Sequence, residues 1–237
     1  MNARDAKRYA RVAGVMFLVS IFAGGFGESF VPGKLMAAND MVETAHRMAA
    51  SVGLFRASFA CYLIEAACDV SLMAILYLLL RPVSRPLSLI ALCFGAVGTS
   101  VFAAGEILYF AAALPAIDPD VARALGPDGG ASFTYLCLRL YGYVFNIFAV
   151  LYGTPVILRG YLIFRSGYLP RVLGGVVMVG GAGFVVKNFV AVLAPRYDSM
   201  AFVLPMFLVM ISMAFWFLAK GIDENRWDQL TVAPRQQ

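Results

Sequence analysis

Six long apolar runs, separated by short polar segments, dominate this sequence. They cover about residues 9–31, 54–80, 87–114, 133–158, 172–194 and 200–221, and an α-helix needs about 20 residues to cross the hydrocarbon core of a bilayer. The pattern predicts an all-α polytopic bundle of six transmembrane helices, folded as a single transmembrane domain over residues 1–237. The first run follows basic residues as in a signal peptide, but it stays apolar to Val31, so we interpret it as a retained helix.

Two of the connecting segments carry their own helix signals. Asp40 and Glu43 have capping-box spacing before apolar residues at helical intervals, which predicts a short amphipathic helix on the outer membrane surface. The acidic connection between Pro115 and Ser132 is expected to hold a short helix that Asp118 or Asp120 caps and Gly126 ends.

The basic residues predict the orientation in the membrane. They lie before the first run, in the turn at Arg81, between Arg159 and Arg171, and after Lys220. Lys and Arg are enriched in cytoplasmic loops. We therefore expect both termini and these two turns on the cytoplasmic side, the acidic connection outside, and a multi-pass position in the bacterial inner membrane.

Composition excludes several classes of protein. The chain is 61% hydrophobic and 14% charged, values that a soluble domain could not carry without exposing large apolar surface. The net charge of +5 does not indicate nucleic-acid binding, because the bases flank apolar runs. The four cysteines lie inside apolar runs and His46 is the sole histidine. The sequence therefore has no disulfide, metal or haem signature, and the cofactor is unknown.

The second run carries Glu65 and Asp69 near its middle. An acid at a helix centre costs about 2.5–3.5 kcal/mol, whereas each large apolar residue returns about 0.3–0.6 kcal/mol. The run barely offsets its two carboxylates, which are four residues apart and share one helix face. This helix is expected to find polar partners on other helices.

Those partners are predicted from the remaining polar side chains within or beside the apolar runs. With four acids, three bases and two amides, the predicted network is close to neutral. Its members belong to the outer half or the middle of the membrane under the expected topology, which predicts a polar pocket that opens outward above an apolar inner half. The network comprises Glu28, Arg56, Glu65, Asp69, Glu106, Arg139, Asn146, Lys187 and Asn188.

Two motifs, at residues 165–174 (RSGYLPRVLG) and 216–222 (WFLAKGI), carry a resemblance. With them the chain resembles a family of uncharacterised bacterial integral membrane proteins, catalogued as a domain of unknown function. The resemblance covers nearly the whole chain and implies six helices without an established activity. Relatives often have Asp or His at the positions of Cys137, Arg139, Pro155 and Lys187. A metal site or a His base in those relatives is therefore not expected here, and no functional residue is carried across.

Three functions fit these observations. The favoured one is a membrane protein whose pocket binds, and in its fullest form transports, a small polar or amphiphilic ligand or lipid. The second is a non-catalytic accessory or scaffold subunit, alone as a homo-oligomer or in a larger membrane complex, whose polar interior is structural. The third is an intramembrane enzyme with Glu65 or Asp69 as acid/base and Arg139 or Lys187 stabilising an anion. We lean against an enzyme, because no nucleophile and base form a recognisable pair.

Overall fold

A computed structural model describes residues 1–37, 40–197 and 199–232; of Met41, Pro127, Asp128, Met200 and Val232 it describes the backbone alone. The described residues form helices and no strand. A π-helical segment, Gly25–Phe30, joins the first two helices, and two 3₁₀ turns precede the ninth. The helices are α1 (Ala3–Gly24), α2 (Val31–Leu35), α3 (Met41–Ala50), α4 (Val52–Leu80), α5 (Arg85–Ala111), α6 (Leu114–Ile117), α7 (Pro119–Ser166), α8 (Arg171–Leu193), α9 (Leu204–Ala219) and α10 (Glu224–Val232).

Five helical segments are long and apolar enough to cross a membrane. They are Ala3–Leu35, Val52–Leu80, Arg85–Ala111, Gly129–Ser166 and Arg171–Leu193. The pair α9 and α10 is bent by 94° and supplies a sixth if it counts as one broken span. The predicted all-α, multi-pass architecture is confirmed.

The predicted end of the fourth helix is wrong, and the first helical segment extends beyond its predicted limits at both ends, from Ala3 to Leu35. The fourth apolar run was expected to end near Leu158, with Arg159 in the following turn, but α7 continues to Ser166. Backbone hydrogen bonding extends the helix beyond the limit of the apolar run. Arg159 is therefore a helical residue about two turns before the end of α7.

The predicted helix signals in the connections are confirmed. Asp40 accepts a hydrogen bond from the Glu43 N–H at 2.9 Å and so caps α3. Asp118 accepts one from the Asp120 N–H at 2.9 Å where α7 begins. Gly126 has a φ of 71° and interrupts the helical backbone within α7, as only a residue without a Cβ does at low cost.

The chain divides into two compact units, and the first comprises residues 1–21, 68–99 and 146–237. Its apolar core is formed by α1, α8, α9 and α10 with the first-unit parts of α4, α5 and α7. Ala3, Ala6, Ala10 and Ala13 recur on one buried face of α1. These small side chains allow neighbouring helices to approach closely.

Glycines bring α7 and α8 into backbone contact within the first unit. A Cβ added at Gly160 would lie 2.9 Å from the Gly174 carbonyl oxygen, and one at Gly181 would lie 2.9 Å from the Gly153 carbonyl oxygen. The glycines are seven residues apart on each helix, so both pairs lie along one seam. Gly180 allows a similar close approach of α8 to Pro205 and Val209 of α9.

Residues of the two motifs that carry the family resemblance line one surface pocket of the first unit, Gly167 to Pro170 from the first and Trp216 with Lys220 to Ile222 from the second. Between α7 and α8, Gly167 has a φ of 74° and the buried Tyr168 hydroxyl donates to the Leu79 carbonyl; burial raises the pKa of this phenol. The Asp223 N–H donates to the Tyr168 carbonyl at 3.1 Å, and the Arg226 guanidinium donates to the Gly167 carbonyl at 2.9 Å. The turn between α7 and α8 is thereby fastened to the segment that follows α9.

The second unit comprises residues 22–67 and 100–145. Aromatic side chains dominate its core. Tyr109 stacks on Phe55 with ring centroids 5.0 Å apart, meets Tyr62 edge-on at 5.1 Å, and lies 5.4 Å from Tyr141. Three of these four residues are tyrosines, so the core of the second unit contains hydroxyl groups as well as apolar rings.

Candidate functional site

Asp69 belongs to a buried polar cluster in the first unit. Its side chain is 7% exposed, and Oδ1 accepts a hydrogen bond from the Tyr152 hydroxyl of α7 at 3.3 Å. Arg159 follows Tyr152 by seven residues and so lies on the same face of α7. It is also 7% exposed. All three side chains line one cavity of about 30 Å³, which is room for about two water molecules.

Arg159 is the functional candidate that the sequence analysis missed. Its Nη2 donates to the Ala91 carbonyl of α5 at 3.4 Å, and a Cβ added at Gly95 would lie 2.9 Å from the same nitrogen. Gly95 therefore makes room for the guanidinium. The expectation that the half of the bundle near the Arg159 to Arg171 segment contains no charged side chain is wrong, because α7 carries this cation inward from its end.

Glu106 lies in a polar cluster within the second unit. Its side chain is 3% exposed, and Oε1 accepts a hydrogen bond from the Tyr141 hydroxyl at 3.0 Å. Its Oε2 has no hydrogen-bond partner among the residues that the structure describes. As for Asp69, the side chain that donates a hydrogen bond to this acid is a tyrosine, which the predicted network did not include.

The π-helical segment is hydrogen-bonded to α4 within the second unit. The Gly27 carbonyl accepts hydrogen bonds from the Tyr62 hydroxyl at 3.0 Å and from Ser58 Oγ at 3.1 Å. The Glu65 carboxylate lies against the preceding turn, since a Cβ added at Gly24 would lie 2.8 Å from its Oε1. Glu28 is within the π-helical segment and is exposed. Single π-helical turns inside α-helices are frequent at functional sites.

Arg139 lines an open groove beside α3, which we call the α3 groove. Its volume is about 330 Å³, within the range of small-molecule sites. The Arg139 guanidinium lies 5.8 Å from the centre of the Tyr135 ring, and none of the acids in the described part of the chain forms an ion pair with it. The groove is lined by Met36, Ala37, Asp40, Thr44, Thr134, Tyr135, Leu138 and Arg139.

A larger and mainly apolar groove lies in the same unit. Its volume is about 600 Å³, and its walls are supplied by α3, α6, the first part of α7 and Ala112, which follows α5. His46 and Arg123 are among its lining residues, and Arg123 is already paired with Asp120 at 2.8 Å. Both grooves share Thr134, whose hydroxyl donates to the Ala112 carbonyl at 2.7 Å.

The remaining four residues of the predicted network belong neither to the Asp69 cluster nor to the Glu106 cluster. In the second unit Arg56 is exposed. In the first unit Asn146 and Lys187 are half-buried, and Asn188 is buried with its amide donating to the Phe184 carbonyl at 2.7 Å. In the described part of the chain, no group of three or more His, Cys, Asp or Glu side chains has the geometry of a metal site.

Comparisons with known proteins place the sequence in context. A model of the family described as Domain of unknown function (DUF4386) matches residues 12–221. An uncharacterised protein of Archaeoglobus fulgidus is 28% identical over 155 residues, which cover 65% of this chain and 76% of that protein. No solved structure gives a significant match. The family match confirms the resemblance inferred from the motifs and supplies no activity.

Proposed function

This chain belongs to the DUF4386 family, and we propose that it binds a small anionic amphiphile in the α3 groove, with Arg139 recognising the negative charge. The proposal places it in the bacterial inner membrane with the α3 side facing outward. Binding is the core of the proposal, and transport would be an extension of it. The single observation that carries it is an arginine within a span that lines a groove and forms no ion pair with an acid of the described residues, Asp40 of the same groove included.

The position of Arg139 supports an anionic ligand. Arg139 follows Gly129, the first residue of its span, by ten residues, or about 15 Å along a helix axis. A cation at the centre of a membrane helix costs about 2.5–3.5 kcal/mol on insertion scales; Arg139 is nearer one end of its span, where the cost is smaller, and charged residues within spans usually pair or face a polar cavity. A carboxylate or phosphate in the groove would supply the counter-charge and accept two parallel hydrogen bonds from the guanidinium.

The lining supports an amphiphile. The hydroxyl protons of Thr44 and Thr134 are already donated to the carbonyls of Asp40 and Ala112, so the donors left for an anion are those of Arg139 and Tyr135. The Asp40 carboxylate is used to cap α3.

Met36, Ala37 and Leu138 form the apolar part of the same groove. A short apolar body beside an acidic head therefore matches the distribution of polar and apolar surface.

A headgroup comparison tests the proposal. The purified full-length chain, in a neutral detergent, is titrated with a single-chain lipid that ends in a phosphate and with one of the same chain length that ends in phosphocholine. Binding is measured by native mass spectrometry and by ligand-induced thermal stabilisation. Because hydrogen bonds to a charged group contribute about 1.5–3 kcal/mol, Arg139→Gln should weaken binding of the phosphate lipid by about 10- to 100-fold, and Arg139→Lys should weaken it less.

Arg56→Gln is the matched control, because Arg56 is an exposed arginine of the same unit that does not line the α3 groove. It should leave both titrations unchanged. Equal binding of the two lipids, or equal effects of Arg139→Gln and Arg56→Gln, would reject recognition by Arg139. Stable folding with no ligand response would move the assignment to a scaffold subunit.

A further inference from the structure

The cavity of the first unit contains two opposite charges that do not touch. Asp69 and Arg159 are each 7% exposed and line the same small space. Both side chains are described, yet no ion pair within 4.0 Å joins them. A separated pair in apolar surroundings is costly unless other groups satisfy it.

Water fits the space between these charges. A buried water needs about 10–15 Å³ and two to four polar partners, and the cavity offers about 30 Å³ with the Asp69 carboxylate, the Tyr152 hydroxyl and the Arg159 guanidinium. The other nine lining residues, from α1, α4, α7, α8 and α9, are apolar.

From this geometry we infer that the cavity is a hydrated proton-binding site, in which the Asp69 carboxyl exchanges its proton with water held between Tyr152 and Arg159. When the carboxyl is protonated, its O–H donates to the cavity water. On release the carboxyl O–H bond breaks and an O–H bond to that water forms; the resulting hydronium passes its proton to solvent water, and the carboxylate left behind accepts hydrogen bonds from Tyr152 and from the cavity water. No other bond is made or broken.

Other occupants fit this cavity less well. Organic ligands occupy cavities of about 300–1,000 Å³, at least about ten times the volume of this one. A metal cation would share the space with the Arg159 charge and find one carboxylate, and an anion would face the Asp69 carboxylate. The titratable side chains that line the cavity are Asp69, Tyr152 and Arg159, so exchange at Asp69 involves no further acid or base there.

Difference infrared spectroscopy on the full chain in phospholipid nanodiscs tests this inference. Spectra recorded across a pH step should contain a carboxylic C=O band that shifts in D₂O and is lost in Asp69→Asn. Tyr152→Phe should keep the band and shift its frequency, because one hydrogen-bond donor to the carboxyl is removed; a purely structural carboxylate would give no such band. The matched control is Glu106→Gln, which removes the buried acid of the second unit and should leave the Asp69 band in place.

A spectrum of Asp69→Asn identical to that of the unaltered chain would overturn the inference, as would an Asp69 band that does not respond to D₂O. Folding of each variant is checked by size-exclusion chromatography and circular dichroism. If Asp69→Asn does not fold, ¹³C-labelled aspartate in the unaltered chain and in Tyr152→Phe identifies the band. A labelled band that shifts between these two samples supports the inference, and none that does so rejects it.

Discussion

Replacing Gly174 by alanine should strongly destabilise the α7–α8 hairpin. A Cβ at this position would lie 2.5 Å from the Phe164 nitrogen, 2.7 Å from the Gly160 carbonyl oxygen and 2.8 Å from the Phe164 Cα. All three are backbone atoms of α7, so no side-chain rotation relieves the contact. The helices must separate by several tenths of an ångström, which also weakens the dispersion contacts along the rest of the seam.

The magnitude follows from overpacking. Inserting one methyl group into a closely packed site costs about 1–3 kcal/mol, and for a chain of this length 1 kcal/mol corresponds to about 2–4 °C in Tm. Gly174→Ala should therefore lower the Tm by about 2–12 °C. Dispersion packing is a principal attraction between helices in a membrane, so the loss is not compensated by a change in apolar burial.

The adjacent residue provides the control. Gly175 is also in α8, and a Cβ added there meets nothing within 4 Å. Gly175→Ala should keep or raise the Tm, because alanine is a better helix former than glycine by about 1 kcal/mol. Thermal unfolding followed by tryptophan fluorescence in one detergent compares the two variants. Equal Tm values would refute the backbone contact between α7 and α8.

Three further outcomes concern Tyr168 and the contacts that α10 makes within the first unit. Tyr168→Phe should cost about 1–3 kcal/mol in the free energy of unfolding, because the Leu79 carbonyl loses its buried hydroxyl donor; denaturant titration measures it. Trp227→Ala should make α10 protease-sensitive, since its indole is 1% exposed and removing such a side chain costs about 3–5 kcal/mol; the half-buried Trp216 gives the control variant. Lys7→Gln should change the Tm little, because the ion pair with Glu224 is partly exposed, and a loss comparable to that of Trp227→Ala would contradict this ranking.

The helical, multi-pass character of the chain could be predicted from the sequence because bilayer thickness fixes the length of an apolar run. The sixth predicted span has the required length only if the bent pair α9 and α10 counts as one. The need for buried polar partners around Asp69 and Glu106 was also predictable, since hydrocarbon penalises an isolated acid. The partners themselves were not. Charge balance directed attention to lysines and arginines, whereas each acid accepts its hydrogen bond from a tyrosine on α7, Tyr152 or Tyr141.

Arg159 was missed because bases near the end of an apolar run are assigned to a cytoplasmic loop. That rule placed Arg159 in the turn after the fourth run, although it lies inside the helix. The signal available in the sequence was its spacing: Arg159 follows Tyr152 by seven residues and precedes the glycine of the turn, Gly167, by eight. The seven-residue spacing of Gly153 and Gly160 on α7, and of Gly174 and Gly181 on α8, was equally visible. Neither spacing has meaning until the pairing of the helices is known, and hydrophobicity does not encode that pairing.

Small residues explain how the first unit accommodates Arg159. Gly160, the next residue along α7, admits the backbone of α8, and Gly95 on α5 leaves the space that the guanidinium occupies. A methyl group at either glycine would collide, at Gly160 with the α8 backbone and at Gly95 with Arg159 Nη2 and Met73 Sδ. Close packing of α7 against α8 shields the Arg159 guanidinium, and the absence of a side chain at Gly95 leaves space for it. The burial of Arg159 therefore depends on where side chains are absent as much as on the groups to which it donates hydrogen bonds.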